Sequence, residues 1–220
     1  MGVLVDDAVD VHHNLIYRNT ESGSGVGILV DSGNGSTISN NTIYTPAGHG
    51  IHLQSNTRET ALRNNIIWTE SGYDLRVETD SQVGFSSDYN NLFATGTGKL
   101  VYWQKDFVDL FDWQVEADFD NHSIGFAAPS PRLDNPQFVN LAGDDYHLTD
   151  AASTSIDAGD PAGPLGNEPV PRGGQTHLGA YGNTTVAALS RAAFVEVDAP
   201  NFYDDLQADV GQPHSGIRST

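Results

Sequence analysis

The chain has 220 residues, with 29 Asp and Glu against 10 Lys and Arg, a net charge of −19 and no cysteine. Such a charge argues against nucleic acid as a partner, because phosphates are held by cations that release their counterions, and equally against anionic lipid. The missing cysteines exclude disulfide scaffolds, thiolate metal centres and cysteine nucleophiles, and no apolar run approaches the roughly 20 residues needed to cross a bilayer.

The chain enters strand-like sequence at once, at Gly2-Val3-Leu4-Val5-Asp6, and reads as a piece of a longer protein. That motif recurs as Gly27-Ile28-Leu29-Val30-Asp31, Gly50-Ile51-His52-Leu53-Gln54 and Asp74-Leu75-Arg76-Val77-Glu78. A second motif interleaves with it: His13-Asn14-Leu15-Ile16-Tyr17, Asn40-Asn41-Thr42-Ile43-Tyr44, Asn64-Asn65-Ile66-Ile67-Trp68 and Asn90-Asn91-Leu92-Phe93. Its second residues, Asn14, Asn41, Asn65 and Asn91, are 27, 24 and 26 apart. Two motifs sharing one period mark stacked supersecondary units. Each period holds two short alternating strands and no amphipathic helix, which excludes leucine-rich repeats, and propeller blades need periods above ~40. The fold class that remains is all-β: a right-handed parallel β-helix of about 24–27 residues per coil.

Strand alternation then assigns the side chains. Val3 and Val5, Ile28 and Val30, Ile51 and Leu53, and Leu75 and Val77 point inward and stack. Ile16, Ile43, Ile67 and Phe93 line another wall. The Asn column also points inward, where stacked amides bond to one another and to the turn backbone. On the outward side Val26, His49 and Tyr73 form one column; Leu4, Leu29, His52, Arg76 and Val101 a second; Asp6, Asp31, Gln54 and Glu78 a third.

Residues 95–134 break the period. They are dense in aromatics among aspartates and read as an irregular cap with a short helix near 107–117, since a solenoid needs an atypical end unit. Residues 135–183 supply a closing region, so 1–183 reads as one domain. Residues 184–193 read as a helical linker, and 184–220 as a whole as linker plus the truncated start of a further β module.

The coils, with Asn135-Pro136-Gln137-Phe138-Val139, Asp145-Tyr146-His147-Leu148, Ser155-Ile156-Asp157-Ala158-Gly159-Asp160-Pro161 and Leu178-Gly179-Ala180-Tyr181-Gly182, resemble right-handed β-helix proteins of the pectate-lyase-like superfamily. The resemblance covers about residues 1–183. It implies a secreted or cell-surface protein that engages polysaccharide, with the outward face of coils 2 to 4 as the groove. It does not separate lyases and epimerases from hydrolases, tailspikes or adhesins.

On that reading the candidate catalytic residues are His49, His52, Tyr73 and Arg76. A uronate lyase or epimerase must neutralise a carboxylate (Arg76, or a bound calcium), abstract the C5 proton (His52 or His49) and protonate the leaving oxygen (Tyr73). Asp31, Gln54, Glu78, Lys99 and Trp103 are candidate substrate contacts. Gly48-His49-Gly50 also resembles a polygalacturonase motif, but Asp31 stands alone where a carboxylate pair is required. Calcium is the expected ion, with Asp144, Asp145, Asp157 and Asp160 as candidate ligands, although Asp157–Pro161 also reads as a turn. His12-His13 is not expected to chelate, because neighbours on a strand face opposite ways. The expected function is a polysaccharide-interacting β-helix of lyase or epimerase type, with a non-catalytic carbohydrate-binding or structural module as the alternative.

Overall fold

The computed structural model describes residues 1–19, 25–127, 134–150 and 152–190; the further β module read into 194–220 lies outside them. The architecture is an all-β solenoid. Its first coil holds β1 (Val3–Val5), β2 (Asp10–His12) and β3 (Leu15–Tyr17). The second holds β4 (Gly25–Asp31), β5 (Thr37–Ser39) and β6 (Thr42–Thr45). The third holds β7 (Gly48–Gln54), β8 (Ala61–Arg63) and β9 (Ile66–Thr69). The fourth holds β10 (Tyr73–Val77), β11 (Ser86–Asp88) and β12 (Asn91–Ala94). Equivalent strands stack in parallel into three walls: β1-β4-β7-β10 in front, β2-β5-β8-β11 at one flank and β3-β6-β9-β12 at the other. The sequence reading finds two strands per coil and misses the wall of β2, β5, β8 and β11. Each of these has three residues and a single inward side chain, Val11, Ile38, Leu62 and Ser87, too short for alternation to register.

The front-wall register pairs Val3 with Ile28, Ile28 with Ile51 and Ile51 with Leu75, and likewise Val5, Val30, Leu53 and Val77. These stacks form the core. In the third wall Ile16, Ile43 and Ile67 align, but the next partner of Ile67 is Leu92, not Phe93. The polar ladder shows the same shift. Asn41 Oδ1 accepts from the Asn14 amide, Asn65 Oδ1 from Asn41, and Asn90 Oδ1 from Asn65, all at 3.0 Å. The fourth rung is therefore Asn90, and Asn91 lies beyond it, bonded to Ser155 Oγ and the Asp134 carbonyl. The residue before each rung explains the doubled asparagines. His13, Asn40, Asn64 and Tyr89 all adopt left-handed backbone, with φ of 53–58°. This is a conformation that Asn tolerates better than most residues.

The end of the solenoid is closed as a cap. β13 (Lys99–Trp103) pairs with β10, then turns antiparallel into β14 (Lys105–Phe107). Asp109 caps α1 (Leu110–Ala117) by accepting from the amides of Phe111 and Asp112. Fully buried Trp113 lies over the core, its indole N–H donating to Asp120 Oδ2 at 2.9 Å. Asp120 Oδ1 accepts from Ser87, Asn90 and Ser123, which ends the ladder. β15 (Ile124–Ala127) rejoins the third wall beside β12. The hairpin of β16 (Phe138–Asn140) and β17 (Asp145–Leu148) follows, then an irregular wrap. That wrap is tied to the third wall's corner: Asn64 Oδ1 accepts from the Asp160 amide, and Thr42 Oγ1 from the Ala180 amide. Residues 184–190 form turns rather than a helix and dock on the wrap, where the Ala188 carbonyl meets His177. Among the described residues no helix is long and apolar enough to cross a membrane.

Candidate functional site

Stacking converts outward positions on the front wall into ladders. Position by position, Val26 precedes His49, and Tyr73 precedes Lys99; Leu29, His52, Arg76 and Tyr102 follow one another in the next column. The Arg76–His52 pairing places the two one coil apart, a separation of ~4.8 Å between strands. The fifth member of that column is Tyr102, whereas Val101 turns inward and is fully buried. The step from Arg76 to Tyr102 is 26 residues, against 25, 23 and 24 for the steps before it, so counting a constant period lands on the wrong side chain.

The glycines make this close stacking possible. Gly48 has φ of 107°, and a Cβ there would stand 1.8 Å from the Gly25 carbonyl oxygen. The Gly-His-Gly sequence is thus accounted for by coil-on-coil approach.

Four rings run up the face. Tyr102 lies 5.5 Å from Tyr73, Tyr73 lies 5.5 Å from His49, and His49 lies 5.4 Å from His52, centroid to centroid. The Arg76 guanidinium sits 5.1 Å from the Tyr102 centroid and 5.8 Å from that of Tyr73. Both cations of the face already hold carboxylates. Arg76 Nε donates to Glu78 Oε1 at 2.7 Å. Lys99 pairs with Asp106, which also accepts from the Tyr73 hydroxyl at 2.6 Å. Asp106, on β14, folds back over the face through the hairpin.

Protonation follows from these contacts. Burial, then the neighbouring His52 and Arg76, lowers His49 to about 4, so its ring is neutral at pH 7. Its Nδ1 accepts the Tyr73 amide proton at 3.1 Å. Burial also lowers His52, against the opposing pull of Glu78. Its 3.1 Å contact with Glu78 is therefore a neutral N–H donating to a carboxylate rather than an ion pair. Burial pushes Glu78 upward, but bonds from Arg76 and His52 outweigh it and hold the carboxyl below its ordinary value. Lys99, then Tyr73, lowers Asp106. Burial and the Asp106 contact raise the Tyr73 hydroxyl.

The structure gathers His49, His52, Tyr73, Arg76, Glu78 and Lys99, with Asp31 and Gln54 paired at the lower edge. Trp103 stands apart from them. It stacks over Val77 in the inward register and joins Phe85, Trp113 and Phe119 at 5.3–5.7 Å in the cap. The four candidate calcium ligands do not converge. Asp144 binds Arg18 at 2.9 Å, and Asp145 holds its own neighbour His147. Asp160 caps its turn through the Ala162 amide and faces Arg63 at 3.7 Å. Of the four, only Asp157 belongs to a group of three donor side chains, with Glu168 and His177. Neither of those was singled out in the sequence, nor were Tyr102 and Asp106. Asp106, Glu168 and His177 come from segments that carry no repeat, and Tyr102 is hidden by the shift in register.

His12 and His13 depart from strand alternation. Because His13 takes the left-handed turn with φ of 55°, its ring swings back beside that of His12, and the two Nδ1 atoms lie 3.1 Å apart. His13 Nε2 meets the Gly182 carbonyl at 3.1 Å.

Together these features define a class: a parallel β-helix that displays a ring ladder on one open sheet, with its cations already partnered. Residues 1–117 match the model of the family described as periplasmic copper-binding protein (NosD), and the chain belongs to that family. Neither a curated relative nor a solved structure matches the chain.

Proposed function

We propose that this chain is a non-catalytic binding module acting outside the cytoplasm, and that its front wall takes a glycan. The observation that carries the reading is the Tyr102–Tyr73–His49 ladder with Arg76 beside it. Stacked half-buried rings offer apolar faces to the C–H side of a sugar, and their polar rims offer hydrogen bonds to its hydroxyls. The family's periplasmic description supports the location. Kinship with the pectate-lyase-like superfamily rests on the motifs alone and forms part of this proposal.

Lyase or epimerase chemistry draws less support from the same atoms. Of the two candidate bases, His49 is held far below neutrality with its Nδ1 already spent on an amide, and His52 is bonded to Glu78. The cations that would neutralise a uronate are each tied to Glu78 or Asp106. Titration calorimetry with neutral and uronate oligosaccharides tests the proposal. Saturable binding is expected, lost in a Y73A/Y102A double variant, with no ultraviolet absorbance from an unsaturated product. The appearance of that product would establish the lyase; absence of binding would overturn the glycan reading.

A second reading comes from the family's printed name, which says that those proteins bind copper. Without cysteine, and with a single methionine, the chain lacks the soft ligands that select copper(I). The His12–His13 pair suits copper(II). With Nε2 of His13 donating to Gly182, Nδ1 carries a lone pair, and 3.1 Å is near the separation of two nitrogens on one metal at ~2.0 Å. Loss of copper(II) binding in an H12A/H13A variant is the expected result, and retention would refute this reading.

A further inference from the structure

The C-terminal wrap contains a cluster that neither reading uses. Glu168 is 4% exposed. Its Oε1 accepts three hydrogen bonds, from Thr176 Oγ1 and the amides of His177 and Asn183. Its Oε2 is buried and has no hydrogen-bond partner. That orphan oxygen points at His177 Nδ1, 3.3 Å away, and Asp157 Oδ1 lies 3.5 Å from the same nitrogen. His177 is 1% exposed. No Lys or Arg pairs with either carboxylate among the described residues.

The tautomer of His177 is set by its surroundings. Nε2 lies 2.8 Å from the Ala188 carbonyl and must donate to it. Nδ1 accepts the Asp157 amide at 3.2 Å, so a proton on Nδ1 would face that N–H. The Nδ1 lone pair thus faces two carboxylates, one of them fully desolvated. Burying an unpaired carboxylate is costly, and a cation at the centre of the cluster removes that cost.

We propose that Asp157, Glu168 and His177 form a site for a divalent transition ion of the zinc class. One imidazole and two carboxylates are a borderline donor set. A metal bound at 2.0–2.1 Å in tetrahedral geometry sets its ligand atoms ~3.3–3.4 Å apart, close to the 3.3 and 3.5 Å found. The third edge is within 4.8 Å, and water fills the fourth position. Calcium, which takes six to eight oxygens at 2.3–2.6 Å, is a poorer match to this set. The metal displaces only the long amide contact to Nδ1. It joins three stretches of the wrap, around 157, 168 and 177, that share no sheet, and so acts as a staple. The site lies beyond residues 1–117 and is independent of the glycan and copper readings.

The test uses the whole chain stripped of metal with a chelator and then titrated with zinc chloride by calorimetry and thermal melting. One zinc per chain and a raised melting point are expected in the wild type and in H12A/H13A. E168Q and D157N should bind zinc at least about 100-fold more weakly, the upper end of what losing an outer-shell partner costs a metal site. Stripped E168Q should be at least as stable as the stripped wild type, because the new amide can donate to His177 Nδ1. If E168Q does not fold, D157N, at the half-buried ligand, carries the test. No zinc uptake by the wild type, unchanged uptake in both variants, or an equal melting shift with calcium chloride would overturn the proposal.

Discussion

Replacing Asn65 with leucine removes one of the two inner rungs of the polar ladder. Asn65 is fully buried. Its Oδ1 accepts from the backbone and side-chain nitrogens of Asn41, at 3.0 and 3.1 Å. Its Nδ2 donates to the Ile38 carbonyl at 2.8 Å and to Asn90 Oδ1 at 3.0 Å. Four bonds at a net ~1 kcal/mol each give ~4 kcal/mol. The added apolar burial returns about 1 kcal/mol, so N65L should destabilise by about 3 kcal/mol. Most of that comes from the Asn41 amide, which is left without its partner. Asn41 Nδ2, by contrast, keeps the carbonyls of Val11 and Ser39. The control is N14L at the ladder's open end. There the side chain is exposed and water replaces its bonds to His12 and Asn41, so the cost should stay under about 1 kcal/mol. Urea unfolding at unchanged m value measures both. Equal losses at the two positions, or none at Asn65, would refute the account of the ladder. N90L should resemble N65L, whereas N91L should loosen only the wrap, because Asn91 serves Ser155 and Asp134.

Acid should weaken the fold through His49. Its folded value of about 4 lies below the ordinary 6.5, so the unfolded chain binds the extra proton first, and stability present above pH 6.5 is lost as pH falls toward 4. The loss is about 2 kcal/mol after discounting for the solvent the ring still meets, and H49Q should abolish that part of the slope in a pH series of melting curves. Asp74 has the opposite sign. Complete burial raises its carboxyl well above the usual value, against the opposing bond from Thr69. The stability it contributes is full below pH 3.8 and is lost as pH rises through its folded value, so D74N should gain on the wild type across that window; parallel pH profiles would show the carboxyl is not held protonated.

Much of this protein is legible in one dimension because a solenoid repeats its instructions. Each coil meets only its neighbours, so the Gly-Ile-x-Val/Leu strands and the Asn-Asn turns report the fold, the inward columns and the Arg76–His52 stack. Where a coil gains or loses one residue, that legibility fails. The fourth rung is Asn90, the fifth outward side chain is Tyr102, and Trp103 joins the cap, because hydrogen-bond register and not the count sets which residues stack. The doubled asparagines announce their turn, yet only the backbone shows that the same turn at His13 reverses strand alternation and brings two imidazoles together. Asp106, Glu168 and His177 carry no periodic signal at all. Their positions follow from a hairpin folded back over the front wall and from a wrap bonded to Thr42, Asn64 and Asn91 of the coils. Contacts between residues so distant in sequence exist only once the coils have stacked. Sequence alone thus determined the repeat, two of the three walls and the face, and the tertiary structure decided where the third wall runs, which side chains on that face are already paired and which carboxylate in the wrap still lacks a partner.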